Sequence, residues 1–321
     1  MHVLNLVNVE KPFIEYQLQA LQEEGVDCTT LMVPGREGQG DTRSMMDYLR
    51  FWPRVYREID DKYDLIHANY GLLGPMAVTQ TDLPVVMTLW GTDLFGPYGW
   101  VSKVVAPYCD AVIVMSEGMA AGIDRDCDVI PHCVNFDRFQ PKSQLEAQRE
   151  VGWDDDDAYH VIFPYKADRE EKNYALANRV VETVDNILDK RVTLEVVWGV
   201  SHDTFPDYLN AADCLIMTSE YEGSPNVIKE ALACNLPVVS TDVGDVSERL
   251  DGVSQSSICT SEAELVGELV SILRQGDRSN GRAAVENLSL EWMSQEILNV
   301  YERVLDTSTS EGGSSVGLMQ G

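Results

Sequence analysis

Short apolar runs alternate with helix-length segments along almost the whole chain, and that alternation leaves few folds open. HVLNLV, DCTTLMV, DLIHA, PVVMTL, AVIVM and DVIP read as strands. Between them FIEYQLQALQEEG, TRSMMDYLRFWPRVYREI, LLGPMAVTQ and WVSKVVAPY read as helical segments. Near-continuous apolar strands separated by helices imply a parallel sheet covered on both faces. The series stops at FQPKSQLEAQREVGWDDDDA, where a proline, a short helix and an acidic run mark a linker. A second series follows, from HVIFPY and NYALANRVVETVDNIL through VTLEVVWG, FPDYLNA, DCLIMTS, PNVIKEALAC and LPVVSTD to AELVGELVSILRQG. The expected domains are residues 1–150 and 151–288, with a helix over 289–305 packing back on the first and a disordered tail over 306–321. Two doubly wound α/β domains place a ligand cleft between them, at the carboxyl ends of their strands.

A chain of 321 residues fits two such domains. Its charge is unusual: 24 Lys and Arg against 53 Asp and Glu, a formal net charge of −29. Such an excess repels itself, and salt near 1 M shortens the Debye length to about 3 Å and screens it. A Lys-poor, Asp-rich surface is therefore expected of a salt-loaded cytoplasm such as a halophilic archaeon's. No basic stripe is available to neutralise phosphates, which argues against nucleic acid as a partner. The seven cysteines are scattered without a C-x-x-C pair and read as reduced thiols, with neither a zinc site nor a disulfide framework. No run approaches 18 apolar residues, and MHVLNLVNVEKPF lacks the basic start and apolar core of a secretory signal, so a cytoplasmic protein is expected.

The densest chemistry lies in SEYEGSPNVIKEALACNLPVVSTDVG. Glu222 falls at the carboxyl end of a strand, Ser224 and Pro225 read as an N-cap and first helical residue, and Glu230 lies on the helix that follows. First-turn amides favour an anion by about 0.3–2 kcal/mol, yet neighbouring carboxylates repel one unless they face hydroxyls. The combination suits a ligand that is part diphosphate and part sugar.

This segment resembles the E-x7-E signature of glycosyltransferase family 4, retaining enzymes of the GT-B fold. VIPHCVNFDRFQP, VIFPYKADREEKNYALA and PVVMTLWGTDL resemble three further family segments in the same order, and the likeness extends over roughly residues 1–305. EGSPNVIKEA and REEKNY are most similar to the branch that builds cell-surface polysaccharides. The resemblance implies that Glu222 meets the hydroxyls of the donor sugar and Glu230 the ribose hydroxyls of the nucleotide. It places Gly223, Ser224, Pro225, Asn226 and Val227 against the sugar and phosphates. Arg169 and Lys172 would neutralise the leaving diphosphate, with no metal and no cofactor; Asp154 to Asp157 read as solvated linker. Trp90, Gly91 and Asp93 would face the donor sugar.

Several positions carry two readings. Arg169 and Lys172 can instead be a solvated pair balancing Glu170 and Glu171, and Lys166 competes for the place of the family's arginine. Trp90 stands where many relatives carry a histidine, so it can stack on a sugar but cannot act as acid or base. His67, at a strand end, either assists there or is a core histidine. His132 and Cys133 replace the family's usual Asn and Gly. NVEKPFIEY lacks the glycines that many relatives use near the acceptor, and PGREGQGDTR reads as a mobile loop. Residues 36–57 hold Arg36, Arg43, Arg50, Arg54 and Arg57 against Glu37, Asp41 and Asp47, beside Met45, Met46, Leu49, Phe51 and Trp52. They either touch a membrane surface or lipid-diphosphate acceptor, or pack the apolar stripe inward with arginines out. The expected function is transfer of a sugar from a nucleotide donor to a glycan or lipid-linked acceptor. The rivals are a non-catalytic glycan-binding subunit and an epimerase or phosphorylase on the same fold.

Overall fold

In the computed structural model the described residues are 1–8, 12–35, 43–154 and 157–312, the backbone alone for 12 and 308–312. Parts of the NVEKPFIEY and PGREGQGDTR loops, Arg36, Asp155, Asp156 and residues 313–321 lie outside them.

The chain forms two compact units, one of Met1–His132 with the segment from Leu290, the other of Cys133–Ser289. The division falls earlier than the acidic run at 154–157. Residues 133–151 belong with the second unit because Gln144 donates to the Ala211 carbonyl and to Asp213, while Lys142 pairs with Asp207 at 2.6 Å.

The first unit holds six parallel strands: β1 (His2–Val7), β2 (Asp27–Met32), β3 (Leu65–Ala68), β4 (Val85–Thr88), β5 (Ala111–Val114) and β6 (Asp128–Val129). Their spatial order is β2-β1-β3-β4-β5-β6, with Val3 beside Cys28 and Leu65, and Ile66 beside Val85. Right-handed crossovers put helix Pro12–Glu23, between β1 and β2, on one face of the sheet. Helices Met45–Glu58, Gly74–Val78 and Gly99–Val105 follow crossovers in the opposite direction and cover the other face, each touching the next. β3, β4 and β5 are buried throughout, whereas β2, at the edge, is half exposed.

Helix Met45–Glu58 turns Tyr48, Phe51 and Val55 inward and leaves Met45, Met46, Leu49 and Tyr56 exposed beside Arg50, Arg54 and Arg57. An apolar stripe packed wholly inward is thus only half of what forms. Helix Leu290–Gly312 extends past residue 305, into the stretch expected to be disordered. The Thr307 hydroxyl donates back to the Arg303 carbonyl at 2.8 Å, satisfying within the helix a side chain that otherwise favours turns. Tyr301 of this helix is fully buried, and its hydroxyl meets His67 Nδ1 at 2.6 Å.

The second unit has five parallel strands: β7 (Ala158–Phe163), β8 (Arg191–Val196), β9 (Cys214–Met217), β10 (Val238–Thr241) and β11 (Ser257–Cys259). Their order is β11-β10-β9-β7-β8. β11 was not expected from sequence, because SIC is three residues of edge strand with one buried apolar side chain. Helices Tyr174–Ile187 and Glu262–Gln275 cover one face, where Val161, Phe163, Val180, Val184, Leu269 and Leu273 form the core. Each such side chain contributes about 1.5–3 kcal/mol by burial.

In both sheets the first strand lies one in from an edge and the order reverses beside it, between β1 and β3 and between β7 and β9. Those reversals are where open parallel sheets hold ligands, in the loops leaving the carboxyl ends. Replacing Tyr301 by Phe should lower stability by about 1–3 kcal/mol, since it strips a partner from a buried imidazole nitrogen. Chemical denaturation checks this: the midpoint should fall with an unchanged slope, and an unmoved midpoint would refute the role given to Tyr301.

Candidate functional site

The loops at the reversal in the second sheet are tied to one another before any ligand is considered. Thr218, just past β9, donates its hydroxyl to the carbonyls of Lys172 and Asn173, each at 3.0 Å. The Glu220 amide donates to the Glu171 carbonyl at 2.9 Å, and the Thr241 hydroxyl to the Ser219 carbonyl at 2.7 Å. Segments following β7, β9 and β10 therefore form one rim. Asn173, at φ 52°, makes the sharp turn into helix Tyr174–Ile187 and caps it by accepting from the Leu176 amide.

On this rim Glu222 accepts from three donors: the Lys172 ammonium, the Ser219 hydroxyl at 2.8 Å and the Tyr165 hydroxyl at 3.2 Å. Lys172 is buried, and its ammonium also lies 4.3 Å from the centre of the Tyr165 ring. Burial pushes the Lys172 pKa down, while Glu222 opposes that shift. Burial and the Glu222 charge together push the Tyr165 hydroxyl well above its ordinary value, and it also feels Arg169 and Glu230. Glu222 and Lys172 thus meet at one phenol, a residue the sequence reading missed.

Arg169 is 46% exposed and pairs with Glu171, its Nε donating at 2.7 Å. The solvated-pair reading therefore describes Arg169 and fails for Lys172, which is buried against Glu222. Lys166 is equally exposed, pairing with Asp168 at 2.5 Å and lying 5.4 Å from the Trp198 ring centre.

Glu230 is oriented by a second residue unseen from sequence. Its Oε1 lies 3.3 Å from His202 Nε2, and Arg138 donates to His202 Nδ1 at 2.9 Å. A guanidinium can only donate, so Nδ1 accepts, and Nε2 carries the proton that it gives to Glu230. Arg138 is held in turn by Asp203 at 2.9 Å.

The helix that bears Glu230 runs Asn226–Ala233, with Pro225 rather than Ser224 at its N-cap position. Ser224 does not cap the helix because its hydroxyl donates to Asp245 at 2.8 Å and accepts from Lys229 at 3.0 Å. Gly223 is half buried, and a Cβ on Gly244, at φ 61°, would stand 2.7 Å from the Gly223 carbonyl oxygen. Val227 is buried, and the Asn226 side-chain oxygen is buried without a hydrogen-bond partner.

In the first unit a pocket of about 210 Å³ opens at the carboxyl ends of β1, β3 and β4, lined by Val7, Asn8, Phe13, Asn69, Tyr70 and Trp90 among others. The Trp90 indole donates to the Asn69 carbonyl at 2.8 Å, and its ring stacks on His132, centroids 4.4 Å apart and planes 11° apart. Phe13 closes on both rings. Gly91 sits at φ 111°, which a side chain rarely tolerates. Both oxygens of buried Asp93 accept backbone amides, from Trp90 at 2.8 Å, Gly91 at 3.0 Å and Gly71 at 3.0 Å. Burial nonetheless pushes its pKa up to about 6, against those hydrogen bonds. Asp93 thus shapes the loop that presents Trp90. His67 is a core histidine: fully buried, held by Tyr301 and by Thr88 at 2.7 Å, with a pKa pushed down to about 3 by burial.

Among the described residues no group of three or more His, Cys, Asp or Glu could hold a metal ion, and no helix is long and apolar enough to cross a membrane.

Residues 171–275 match the family model described as Glycosyl transferases group 1. The chain is 25% identical over 240 residues to the putative teichuronic acid biosynthesis glycosyltransferase TuaC of Bacillus subtilis (strain 168), covering 64% of this chain and 60% of that protein. The chain thus spans less than two thirds of that relative's length. Among solved structures, sucrose-phosphate synthase of Thermosynechococcus elongatus superposes with a TM-score of 0.74 at 17% identity, over 96% of this chain and 100% of that one. HepE of Anabaena in complex with UDP-glucose superposes at 0.64 with 14% identity, over 97% and 100%. The two Rossmann-like units are those of the GT-B fold.

The different settings of the two cations predict different responses. Lys172→Met, which breaks a buried pair, should lower stability by about 3 kcal/mol. Arg169→Met should change it by less than about 1 kcal/mol, because an exposed pair contributes little. Denaturant unfolding of both variants is the check, and equal effects would contradict the assignment.

Proposed function

We propose that the chain is a glycosyltransferase of family 4 that moves a sugar from a nucleoside-diphosphate donor to a glycan or lipid-linked acceptor, with retention at the anomeric carbon. The assembly of a cell-surface polysaccharide or glycoprotein is the setting this reading favours. The observation that carries it is Glu222 held by buried Lys172, Tyr165 and Ser219 at a sheet reversal, beside the helix start that bears Glu230. The match over residues 171–275 and the nucleotide sugar bound by HepE support the same reading.

In this account the diphosphate lies against the backbone amides of Gly223, Ser224, Asn226 and Val227, since Pro225 has none to donate. Arg169 exchanges its weak bond with Glu171 for the phosphates, and as the bond from the anomeric carbon to the diphosphate breaks, Arg169 and Lys172 stabilise the leaving charge. Each charge-assisted hydrogen bond is worth about 1.5–3 kcal/mol. Those two side chains take the cation's part, so the reaction is read as metal-independent. Glu222, fixed by Lys172 and Ser219, receives hydroxyls of the sugar; Glu230, fixed by His202, receives those of the ribose. Trp90 supplies a flat apolar face on the first unit.

Thermal shift with a panel of nucleoside diphosphates and nucleotide sugars in high salt tests this. A ligand at 100 times its Kd should add about 2.7 kcal/mol. Wild type should be stabilised by one nucleotide and its sugar, and Glu230→Ala and Arg169→Ala should not be. No shift from any nucleotide would sink the reading.

The same account has the first unit working at the inner surface of an anionic membrane. Phe95, Tyr98, Trp100, Val104 and Tyr108 are exposed, Trp100 by 63% and Tyr108 by 72%, with Lys103 among them. They share a sheet face with exposed Met45, Met46, Leu49, Arg50, Arg54 and Arg57, a local excess of cations on a chain of charge −29. Aromatic rings and arginines are interface chemistry, each arginine adding about 1 kcal/mol near anionic lipid. The protein should float with phosphatidylglycerol vesicles, and Trp100→Ser with Arg50→Gln and Arg54→Gln should release it. A protein that stays in solution with such vesicles at every salt concentration contradicts this placement.

A further inference from the structure

Beneath the Gly223–Pro225 loop lies a charged cluster that direct contact with a donor does not use. Lys229, one turn into helix Asn226–Ala233, is fully buried and donates to the Ser224 hydroxyl at 3.0 Å. That hydroxyl gives its single proton to Asp245 Oδ2 at 2.8 Å, and Arg249 Nε donates to the same oxygen at 2.9 Å. Asp245 is itself buried, and its Oδ1 has no hydrogen-bond partner. The turn that carries it lies against the loop, as the close approach of Gly244 to the Gly223 carbonyl requires.

A lysine without exposed surface is expensive to keep, and a methionine of similar shape fills such a space without desolvating a charge. What the lysine adds is a donor to Ser224 and a positive charge. Two cations, Lys229 and Arg249, surround one buried carboxylate under the first turn of a helix whose amides already favour an anion.

We propose that Lys229, Asp245 and Arg249 are positioning residues for the donor diphosphate. Through Ser224 they hold the Glu222–Pro225 loop against the helix start, and Lys229 contributes a buried charge that strengthens diphosphate binding there. This rests on the nucleotide-donor reading of the preceding subsection.

The charge has a signature of its own. Burial pushes the Lys229 pKa down to about 8, with Arg249 acting in the same direction and Asp245, Cys133 and Glu230 opposing. A diphosphate arriving nearby favours the ammonium form and raises that pKa. Affinity is therefore full below about pH 8 and falls above it, by up to about tenfold per pH unit, with proton uptake on binding.

The test is calorimetric titration of UDP, GDP and ADP at pH 7, 8 and 9 into wild type, Lys229→Met and Ser224→Ala, with folding checked by thermal melting. Wild type should bind one of the three with a Kd that rises between pH 8 and 9. Lys229→Met should bind it at least about tenfold more weakly at pH 7 and show no such rise. Ser224→Ala, which keeps the lysine but cuts the bridge, should bind severalfold more weakly and retain the rise. A folded Lys229→Met with wild-type affinity and pH dependence overturns the proposal. If that variant does not fold, a flat wild-type profile or a Ser224→Ala of wild-type affinity overturns it instead. A wild type that binds none of the three fails the donor reading itself, and the proposal falls with it.

Discussion

The ion pair between Lys172 and Glu222 is the contact around which the second unit's site is built. It joins the segment after β7 to the segment after β9, across the reversal of strand order. Buried pairs contribute little net stability, because desolvating two charges offsets most of their attraction. Such a pair fixes an arrangement instead. With the ammonium committed to it, Glu222 is held stationary, and Tyr165 and Ser219 close around the same oxygen. His202 holds Glu230 in the same manner, by a proton whose position Arg138 dictates. Both glutamates are therefore held in place by the protein's own side chains.

One strand order occurs twice in the chain with two different outcomes. At the first sheet's reversal the loops enclose an aromatic pocket where Trp90 stacks on His132, Phe13 is tilted against both, and both Asp93 oxygens accept backbone amides. At the second they bring together carboxylates, cations and a helix start. The topology supplies a place for a ligand, and side chains alone decide its polarity.

Strand and helix positions were legible because both period and apolarity survive in a parallel sheet: β1 begins and ends where HVLNLV does, and helix Phe205–Ala211 is FPDYLNA. Glu222, Glu230, Lys172 and Arg169 became candidates because EGSPNVIKEA and REEKNY resemble family segments, not from spacing alone. What escaped was whatever depends on pairing across distance. Ser224 followed by Pro225 has the local pattern of an N-cap, and only Asp245, 21 residues on, diverts its hydroxyl. His202 lies in a loop without periodicity, and Tyr165 looks like one more core aromatic after a strand. Lys229 did leave a signal: a lysine inside NVIKEALA, on the side that a buried helix turns inward. His67 had two readings from sequence, and two hydrogen bonds with no exposed surface decide for the core.

The central claim is transfer itself, and the most direct measurement follows the sugar. The nucleotide sugar that stabilises the protein, labelled at its anomeric carbon, is incubated in high salt with membrane-derived glycolipid, and product linkage is read by nuclear magnetic resonance. The account predicts release of nucleoside diphosphate only when acceptor is present, and a product with the donor's anomeric configuration. Release at the same rate without acceptor, or a product of inverted configuration, would contradict it.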